Sequence, residues 1–587
     1  MGNNDNNASL NPRRSQEKGD YMQMEMITGA QVAAQALIDR KIPHIFSLSG
    51  GHITPIYQFL EGSDVKIFDT RHEQSALFMA EAWGKLTRKA GVAMVTAGPG
   101  FTNALTGVAS AHFSNTPLVL IAGCVGLDNK ERLDLQDMPQ EAVIKPMVKR
   151  TLVCQKAERA AEYVDMAFRI AESGRPGPVY LEFPVDVLNT PVDPAAVKKP
   201  GTSVSAHPAD PDRAAELIQL IRSANNPIAI AGTGAYQSGA GDELKTFIET
   251  ANIPLFTSLS GRGLISDTHP LCFEGAVAIR PGCGFAAFLE TDLIIVLGTR
   301  ISLFYLFGDI FNPAAKIAQV DICPEEIGRN RTVDLPIPGD VKGFLAACNQ
   351  VIAKENLSST LGEKFAPWVG KLHQAHKEGK NQSEKDWHSD NIPIHPMRLA
   401  REVDLYMDKE DDIVVADGGD TTTWMGMTRT LTSAGQYLDY GIFGSLAAGL
   451  PSANAAKLLY PDSRVLLVTG DGSVGFNFME FETAIRKNLP IVVVISNDLG
   501  WGMIRHSQEI RIGHAIEAGT YIGRVDYHKM VEAIGGKGFF VEDPKDIRPA
   551  LDAAFASGKI CCINVMTDPT TVSPASMALA NVGAYKA

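Results

Sequence analysis

Hydrophobic and polar positions follow two rhythms along this chain. Short apolar runs of strand length, such as His44–Leu48, Val92–Thr96 and Leu118–Ala122, end on small or glycine-rich turns. Each gives way to apolar residues at helical spacing, as in Ala30–Asp39 and Gln74–Leu86. Continuous apolar strands separated by amphipathic helices indicate parallel sheets covered on both faces, so the pattern predicts an α/β fold. Strands Val65–Asp69 and Pro178–Phe183 complete a first unit. A second opens on helix Asp212–Ser223 and holds strands Pro227–Ala231, Ile294–Gly298 and Ala315–Asp321. A third holds strands Ile413–Ala416, Val465–Thr469, Leu489–Ser496 and Cys562–Val565. Phe478, Met479, Phe481, Ala484 and Ile485 predict one helix over Val474–Lys487, and Gly444–Gly449 reads as another helix start.

Punctuation sets the boundaries. Pro194–Pro208, rich in Pro, Lys, Ser and Ala, reads as a linker, and Asn349–Asp390 reads as a charged helical connection across the outside. Three doubly wound α/β domains are expected, over residues 25–195, 209–348 and 394–587, with a helical linker over 349–393 and a flexible tail over 1–24. The first and third are of similar length and pattern, which suggests an old duplication.

Composition narrows the function classes. A net charge of −13 over 587 residues, without a long basic run, argues against a nucleic-acid surface. The eight cysteines contain no CxxC pair, as expected of a reduced, cytoplasmic protein without structural zinc. Residues 1–22 lack the apolar core of a signal peptide, and no apolar run reaches membrane-spanning length.

The chemistry concentrates in Gly470-Asp471-Gly472-Ser473, which follows a short strand and precedes a helix and a second strand ending at Asn497-Asp498. Such a unit puts Asp471 and Asp498 at the carboxyl ends of parallel strands, beside a helix N-terminus. Metal and phosphate are both favoured there. The 24 residues between Gly472 and Asn497 complete a spacing that resembles the diphosphate-binding motif of the thiamine-diphosphate (ThDP) enzymes. One position departs from that motif, since Asp498 stands where the family has a second asparagine.

The resemblance implies a pyrimidine-binding, a middle and a diphosphate-binding domain, with ThDP and Mg²⁺ bound between two copies of a homodimer or homotetramer. It implies Asp471, Asp498 and Gly500 as the metal site and Gly419, Asp420, Gly472 and Ser473 around the diphosphate. Thr70-Arg71-His72-Glu73 is similar to the family turn whose glutamate activates the aminopyrimidine, which assigns that role to Glu73. Thr96 and Asn103, within Thr96–Asn103, match the turn beneath the pyrimidine. Gly444 and Leu446 match the family's backbone contact to the amino group and its apolar wedge. Without that context Glu73 would be a helix-start carboxylate and Leu446 a core leucine.

From Ile27 to Val565 the chain most resembles the benzaldehyde lyase branch, through Asp69–Glu73, Gly100–Ala104, Val414–Gly418 and Val468–Gly475. Two further residues carry over: His52 as proton relay and Gln136 as hydrogen-bond donor to substrate or water. The ring-lining aromatics of that branch do not, because Val185 and Thr422 replace them. Val320–Gly328 and Gly535–Gly538 are similar to 2-hydroxyacyl-CoA lyases and oxalyl-CoA decarboxylases, and Arg71–Gln74 to acetolactate synthases. The expected activity is cleavage or formation of carbon–carbon bonds in 2-hydroxy ketones and aldehydes. The alternatives are acetolactate-synthase-like 2-oxo acid chemistry, 2-hydroxyacyl-CoA lysis, or a non-catalytic ThDP-binding role. The Gly232-Thr233-Gly234 turn leaves FAD as a lesser alternative for the middle domain.

Overall fold

The computed structural model describes residues 26–198, 201, 209–273 and 282–581. The tail expected over 1–24 and most of the stretch from 199 to 208 lie outside them. Three parallel sheets organise the described residues. The first contains β1 (His44–Ser47), β2 (Lys66–Asp69), β3 (Gly91–Val95), β4 (Leu118–Cys124), β5 (Arg150–Val153) and β6 (Pro178–Pro184), in the order β2-β1-β3-β4-β6-β5. The second contains β7 (Pro227–Ala231), β8 (Leu255–Thr257), β9 (Leu293–Leu297), β10 (Lys316–Asp321) and β11 (Leu335–Pro338), in the order β8-β7-β9-β10-β11. The third contains β12 (Ile413–Asp417), β13 (Tyr437–Leu438), β14 (Val465–Gly470), β15 (Val492–Asn497), β16 (Lys537–Val541) and β17 (Cys561–Met566), in the order β13-β12-β14-β15-β17-β16.

The first and third sheets thus share one strand order, the topology a duplication would leave. Every residue of β4 and of β9 is buried, because helices cover both faces of a parallel sheet. These strands were legible for that reason.

Helices α1 (Glu73–Thr87) and α2 (Pro99–Phe113) follow β2 and β3. The long α3 (Ser358–Asn381) buries Phe365, Trp368 and Leu372 against the middle domain. In the third domain α4 (Gly419–Thr428) follows β12 and α5 (Gly449–Leu459) precedes β14. The single helix expected over Val474–Lys487 is instead two, α6 (Asp471–Val474) and α7 (Glu480–Arg486). Gly475 and Asn477 have poor helix propensity, and Asn477 spends its amide on the backbone oxygen of Ala447 at 3.3 Å. Phe476 and Met479 are consequently exposed, whereas Phe481 and Ala484 keep the expected burial. Gly444–Gly449 is not yet helix either: Gly444 is left-handed, with φ +69°, and α5 begins at Gly449. Helix α8 (Gly502–Ile512) follows the second strand of the motif.

The first and third domains share a core. Phe78 of α1 packs on Ala447 and Ala448, and the Phe113 ring stacks on Phe443 with centroids 5.2 Å apart. A stack of that kind contributes about 1 kcal/mol beyond the area it buries. The backbone N–H of Arg71 donates to Glu480 Oε1 at 2.9 Å, and Arg486 pairs with Asp69 at 2.6 Å. Among the described residues no helix is long and apolar enough to cross a membrane.

Candidate active site

The carboxyl ends of β12, β14 and β15 open onto a cavity of about 590 Å³. Branch-like divergence of parallel strands leaves such a crevice beyond their carboxyl ends. Gly419, Asp420, Gly444, Leu446, Asp471, Gly472, Ser473, Asp498 and Gly500 all line it, as does Thr422. Phe304 and Leu306 of the middle domain close it on one side together with Trp424 and Phe443.

Asp471 and Asp498 follow β14 and β15 directly, so adjacent parallel strands bring their carboxylates face to face. Burial, then the facing Asp498 charge, push Asp471 up to about 8; burial also raises Asp498, against the pull of Arg505. Asp471 Oδ2 is a buried oxygen with no hydrogen-bond partner among the described residues. Two facing carboxylates with an orphaned oxygen form a hard-oxygen donor set that suits a divalent cation. No third His, Cys, Asp or Glu side chain joins them among the described residues, so the other ligands of a cation would be backbone oxygen, phosphate or water. The Gly500 N–H donates to Asp498.

Around this pair the backbone leaves room for a ligand. A Cβ at Gly472 would stand 2.7 Å from the Trp501 ring, and one at Gly419 would stand 2.9 Å from Met503 Sδ. Gly444 faces open space. Asp417 anchors the floor, accepting the N–H groups of Gly418 at 2.7 Å and Gly449 at 3.0 Å. Leu446 is placed by its neighbour Ala447, a left-handed non-glycine residue with φ +76°. The Ala447 N–H donates to Ser473 Oγ at 3.1 Å and its carbonyl accepts from Asn477, which ties the leucine to the glycine-rich turn.

Sequence reasoning missed a polar cluster on one wall. Asp420 accepts from Ser573 Oγ at 2.5 Å and Ser576 Oγ at 2.6 Å, and faces His506 Nδ1 at 3.2 Å. His506 Nε2 lies 3.0 Å from the Pro569 carbonyl, so both ring nitrogens meet acceptors. Burial opposes protonation of His506, but Asp420 and that carbonyl outweigh it and raise its pKa. In the sequence His506 is marked only by lying eight residues beyond Asp498.

The remaining candidates gather in the first domain. Asn103 Nδ2 donates to Glu73 Oε2 at 3.0 Å, at the start of α1 and in the first turn of α2. Glu73 is buried, and its Oε1 lies close to the Gly100 backbone. His52 Nδ1 is 3.2 Å from Thr96 Oγ1, and the His52 backbone packs on Gly123. Burial lowers the His52 pKa, against the opposing effects of the Asp134 charge and a hydrogen bond that the imidazole donates to Gln136. Gln136 is left-handed, with φ +67°, and packs on Gly98, whose N–H is held by Gln140 at 2.8 Å. None of these first-domain residues, nor Val185, lines the crevice of the third domain. One chain therefore builds two half-sites.

Two α/β domains of matching strand order, one with a carboxylate pair and glycine cradle and one with a buried glutamate, define a protein that holds a charged cofactor between domains. Comparison with known proteins agrees. Residues 27–144, 214–348 and 417–565 match the N-terminal TPP binding domain, the central domain and the C-terminal TPP binding domain of thiamine pyrophosphate enzymes. The chain is 33% identical to a probable acetolactate synthase large subunit of Methanococcus aeolicus, over 93% of each chain. It is 30% identical to a 2-hydroxyacyl-CoA lyase of Arabidopsis thaliana, over 92% of this chain and 96% of the relative. It is 29% identical to 2-hydroxyacyl-CoA lyase 2 of Danio rerio, over 94% of this chain and 93% of the relative. The chain belongs to the thiamine pyrophosphate enzyme family. Its cofactor is thiamine diphosphate and its chemistry is that of carbon–carbon bonds.

Proposed function

We propose that this enzyme is a Mg²⁺-dependent lyase and carboligase of 2-hydroxy ketones and aldehydes. The observation that carries the reading is His52. Burial keeps its imidazole neutral, and Thr96 occupies Nδ1, which leaves Nε2 to take the proton of a substrate hydroxyl. Decarboxylation of a 2-oxo acid has no hydroxyl proton to remove, so a neutral histidine fits a 2-hydroxy carbonyl substrate better.

Asp471, Asp498 and Gly500 would hold Mg²⁺. Gly419, Asp420, Gly472 and Ser473 would border the diphosphate, and Gly444 and Leu446 the pyrimidine and the bend. Thiamine diphosphate, when bound, supplies a carbon acid whose conjugate base adds to carbonyl carbon. Glu73 exchanges a proton with the pyrimidine through the carboxylate that Asn103 orients. His52 exchanges one with the substrate hydroxyl, and Gln136 donates to substrate or water. Phe304, Leu306 and Trp424 make the acyl side of the crevice apolar and exclude water.

This reading needs a second copy, in a homodimer or homotetramer, because the two half-sites of one chain do not meet. Exposed apolar side chains flank both halves: Leu133 and Leu135 beside Gln136, and Phe476 and Ile504 at the crevice. Cleavage of 2-hydroxyacyl-CoA is the second reading. The same histidine chemistry serves it, and two of the relatives above bear that name.

The test is a mass-spectrometric screen of the protein loaded with ThDP and Mg²⁺, offered benzoin, acetoin, pyruvate and a 2-hydroxyacyl-CoA in parallel. Aldehyde release from an acyloin supports the first reading. Cleavage of the thioester alone supports the second, and acetolactate from pyruvate alone overturns both.

A further inference from the structure

One buried amide joins the two backbone positions on which His52 and Gln136 rest. Gln140 opens the short helix Gln140–Ile144 and is 2% exposed. Its Oε1 accepts the N–H of Gly98 at 2.8 Å, and its Nε2 donates to the carbonyl of Gly123 at 3.1 Å. Gly98 lies just past β3 and Gly123 near the end of β4, its parallel neighbour. A Cβ on Gly98, which is left-handed with φ +58°, would stand 2.8 Å from the Cβ of Gln136. One on Gly123 would stand 2.5 Å from the Cβ of His52. The amide has one orientation: turned over, it would set its NH₂ against the Gly98 N–H and its oxygen against the Gly123 carbonyl.

A buried charge fixes the other side of this amide. Gln140 Nε2 lies 2.9 Å from Tyr180 Oη and 3.3 Å from Glu182 Oε2, and the Tyr180 hydroxyl donates to the same carboxylate oxygen at 2.6 Å. Glu182 is buried on β6, and its other oxygen accepts from Lys130 Nζ at 3.0 Å. Lys130 belongs to the loop that carries Gln136, so the ion pair ties that loop to the sheet. A buried carboxylate is tolerated when donors and a counter-charge surround it, and a polar network with every member paired is rigid. Glu73 is held separately, by Asn103.

We propose that Gln140 is a positioning residue: with Glu182 and Lys130 it holds His52 and Gln136 in one fixed relation without itself touching substrate. The inference rests on the roles given above to those two residues. A proton-transfer group misplaced by about 1 Å can cost about 10²-fold in rate, so the network acts on turnover. It does not act on cofactor binding, because none of its members lines the crevice.

A reciprocal exchange in the enzyme loaded with ThDP and Mg²⁺ tests this. Gln140→Glu keeps the side-chain length and the acceptor for Gly98, but sets an oxygen against Gly123 and Glu182. Adding Glu182→Gln returns an amide donor to that contact and keeps an oxygen for Lys130. On whichever of benzoin, acetoin and 2-hydroxyacyl-CoA the wild type cleaves, Gln140→Glu should lower kcat by about tenfold or more. KM and ThDP affinity should change by less than about threefold, and the double variant should recover most of kcat. Hydrogen-exchange mass spectrometry should show faster exchange over residues 96–100 and 133–138 in Gln140→Glu, with protection regained in the double variant. Wild-type kcat in Gln140→Glu, a loss undiminished in the double variant, or a loss matched by weakened ThDP binding would overturn the proposal. Unchanged exchange in Gln140→Glu would overturn it even if the wild type cleaved none of the three substrates. Wild-type kcat in His52→Ala is a different result, since it overturns the role given to His52 itself.

Discussion

Asp471 and Asp498 face each other from the ends of two hydrogen-bonded parallel strands, and Asp471 is held as a weak acid by burial and by its partner's charge. A carboxyl raised from its ordinary value to about 8 binds a proton more tightly folded than unfolded. Its stabilising effect is full below the unfolded value of about 4 and is lost as pH rises toward 8. Metal-stripped protein should therefore lose thermal stability between about pH 5 and pH 8, all of which lies within the range where Asp471 titrates, and Mg²⁺ should restore it while releasing protons. Asp498→Asn removes the facing charge. It should stabilise the stripped protein at pH 8 by about 2 kcal/mol and flatten the dependence. Differential scanning calorimetry with chelator and with Mg²⁺ checks this, and a wild-type profile as flat as that of Asp498→Asn would refute it.

His52 makes a prediction about rate. Its lowered pKa means that the neutral imidazole persists below the ordinary histidine value, so the acid limb of kcat/KM for an acyloin should fall below about pH 6.5. The Asp134 carboxylate works against that lowering, so Asp134→Asn should move the limb to still lower pH. His52→Ala should cost about 10²- to 10⁴-fold in kcat/KM and abolish the limb. Stopped assays from pH 5 to pH 8 with acetoin or benzoin, within the range of about 5 to 8 where histidine changes charge, separate these outcomes.

Glu73 and Asn103 form a pair across the starts of α1 and α2, and Glu73→Gln tests which member carries the proton. Glutamine preserves size and can still reach Asn103, so the fold and cofactor affinity should persist. Turnover should fall by about 10²-fold or more because the exchangeable carboxyl proton is gone. Isothermal titration with ThDP and Mg²⁺ measures the first quantity and steady-state kinetics the second. Turnover equal to wild type would remove Glu73 from the mechanism.

How much of this was legible follows from where the information resides. Central strands such as β4 and β9 are apolar at every position, so their ends could be placed within a residue or two. Helix α7 was overextended because Phe478, Met479 and Phe481 imitate a continuous apolar stripe. The break at Gly475 and Asn477 answers to a long-range bond with Ala447, which periodicity does not register. The crevice was readable because Asp471 and Asp498 belong to one strand–helix–strand unit. The wall formed by Asp420 and His506 was not, because its members lie 86 residues apart and meet only through the sheet order. The separation of the Glu73 and Asp471 half-sites within one chain has no counterpart in any local pattern.

The wedge at Leu446 yields the last prediction. Its position depends on Ala447, which sits in a conformation that disfavours a side chain and is held there from both sides, by Ser473 at its N–H and by Asn477 at its carbonyl. Ser473→Ala removes one of the two acceptors that face the Ala447 N–H, leaving the Asp417 carboxylate, at a cost of about 1 kcal/mol. The strain at Ala447 then favours relaxation of the segment, and Leu446 moves with it. Ala447→Gly separates the two effects: it removes the strain of about 1 kcal/mol or more while retaining both hydrogen bonds. Ser473→Ala should therefore lower both melting temperature and kcat, whereas Ala447→Gly should leave the melting temperature unchanged or higher and lower kcat only modestly. Equal losses of kcat in the two variants would show that side-chain bulk at Ala447, rather than the Ser473 bond, sets the wedge.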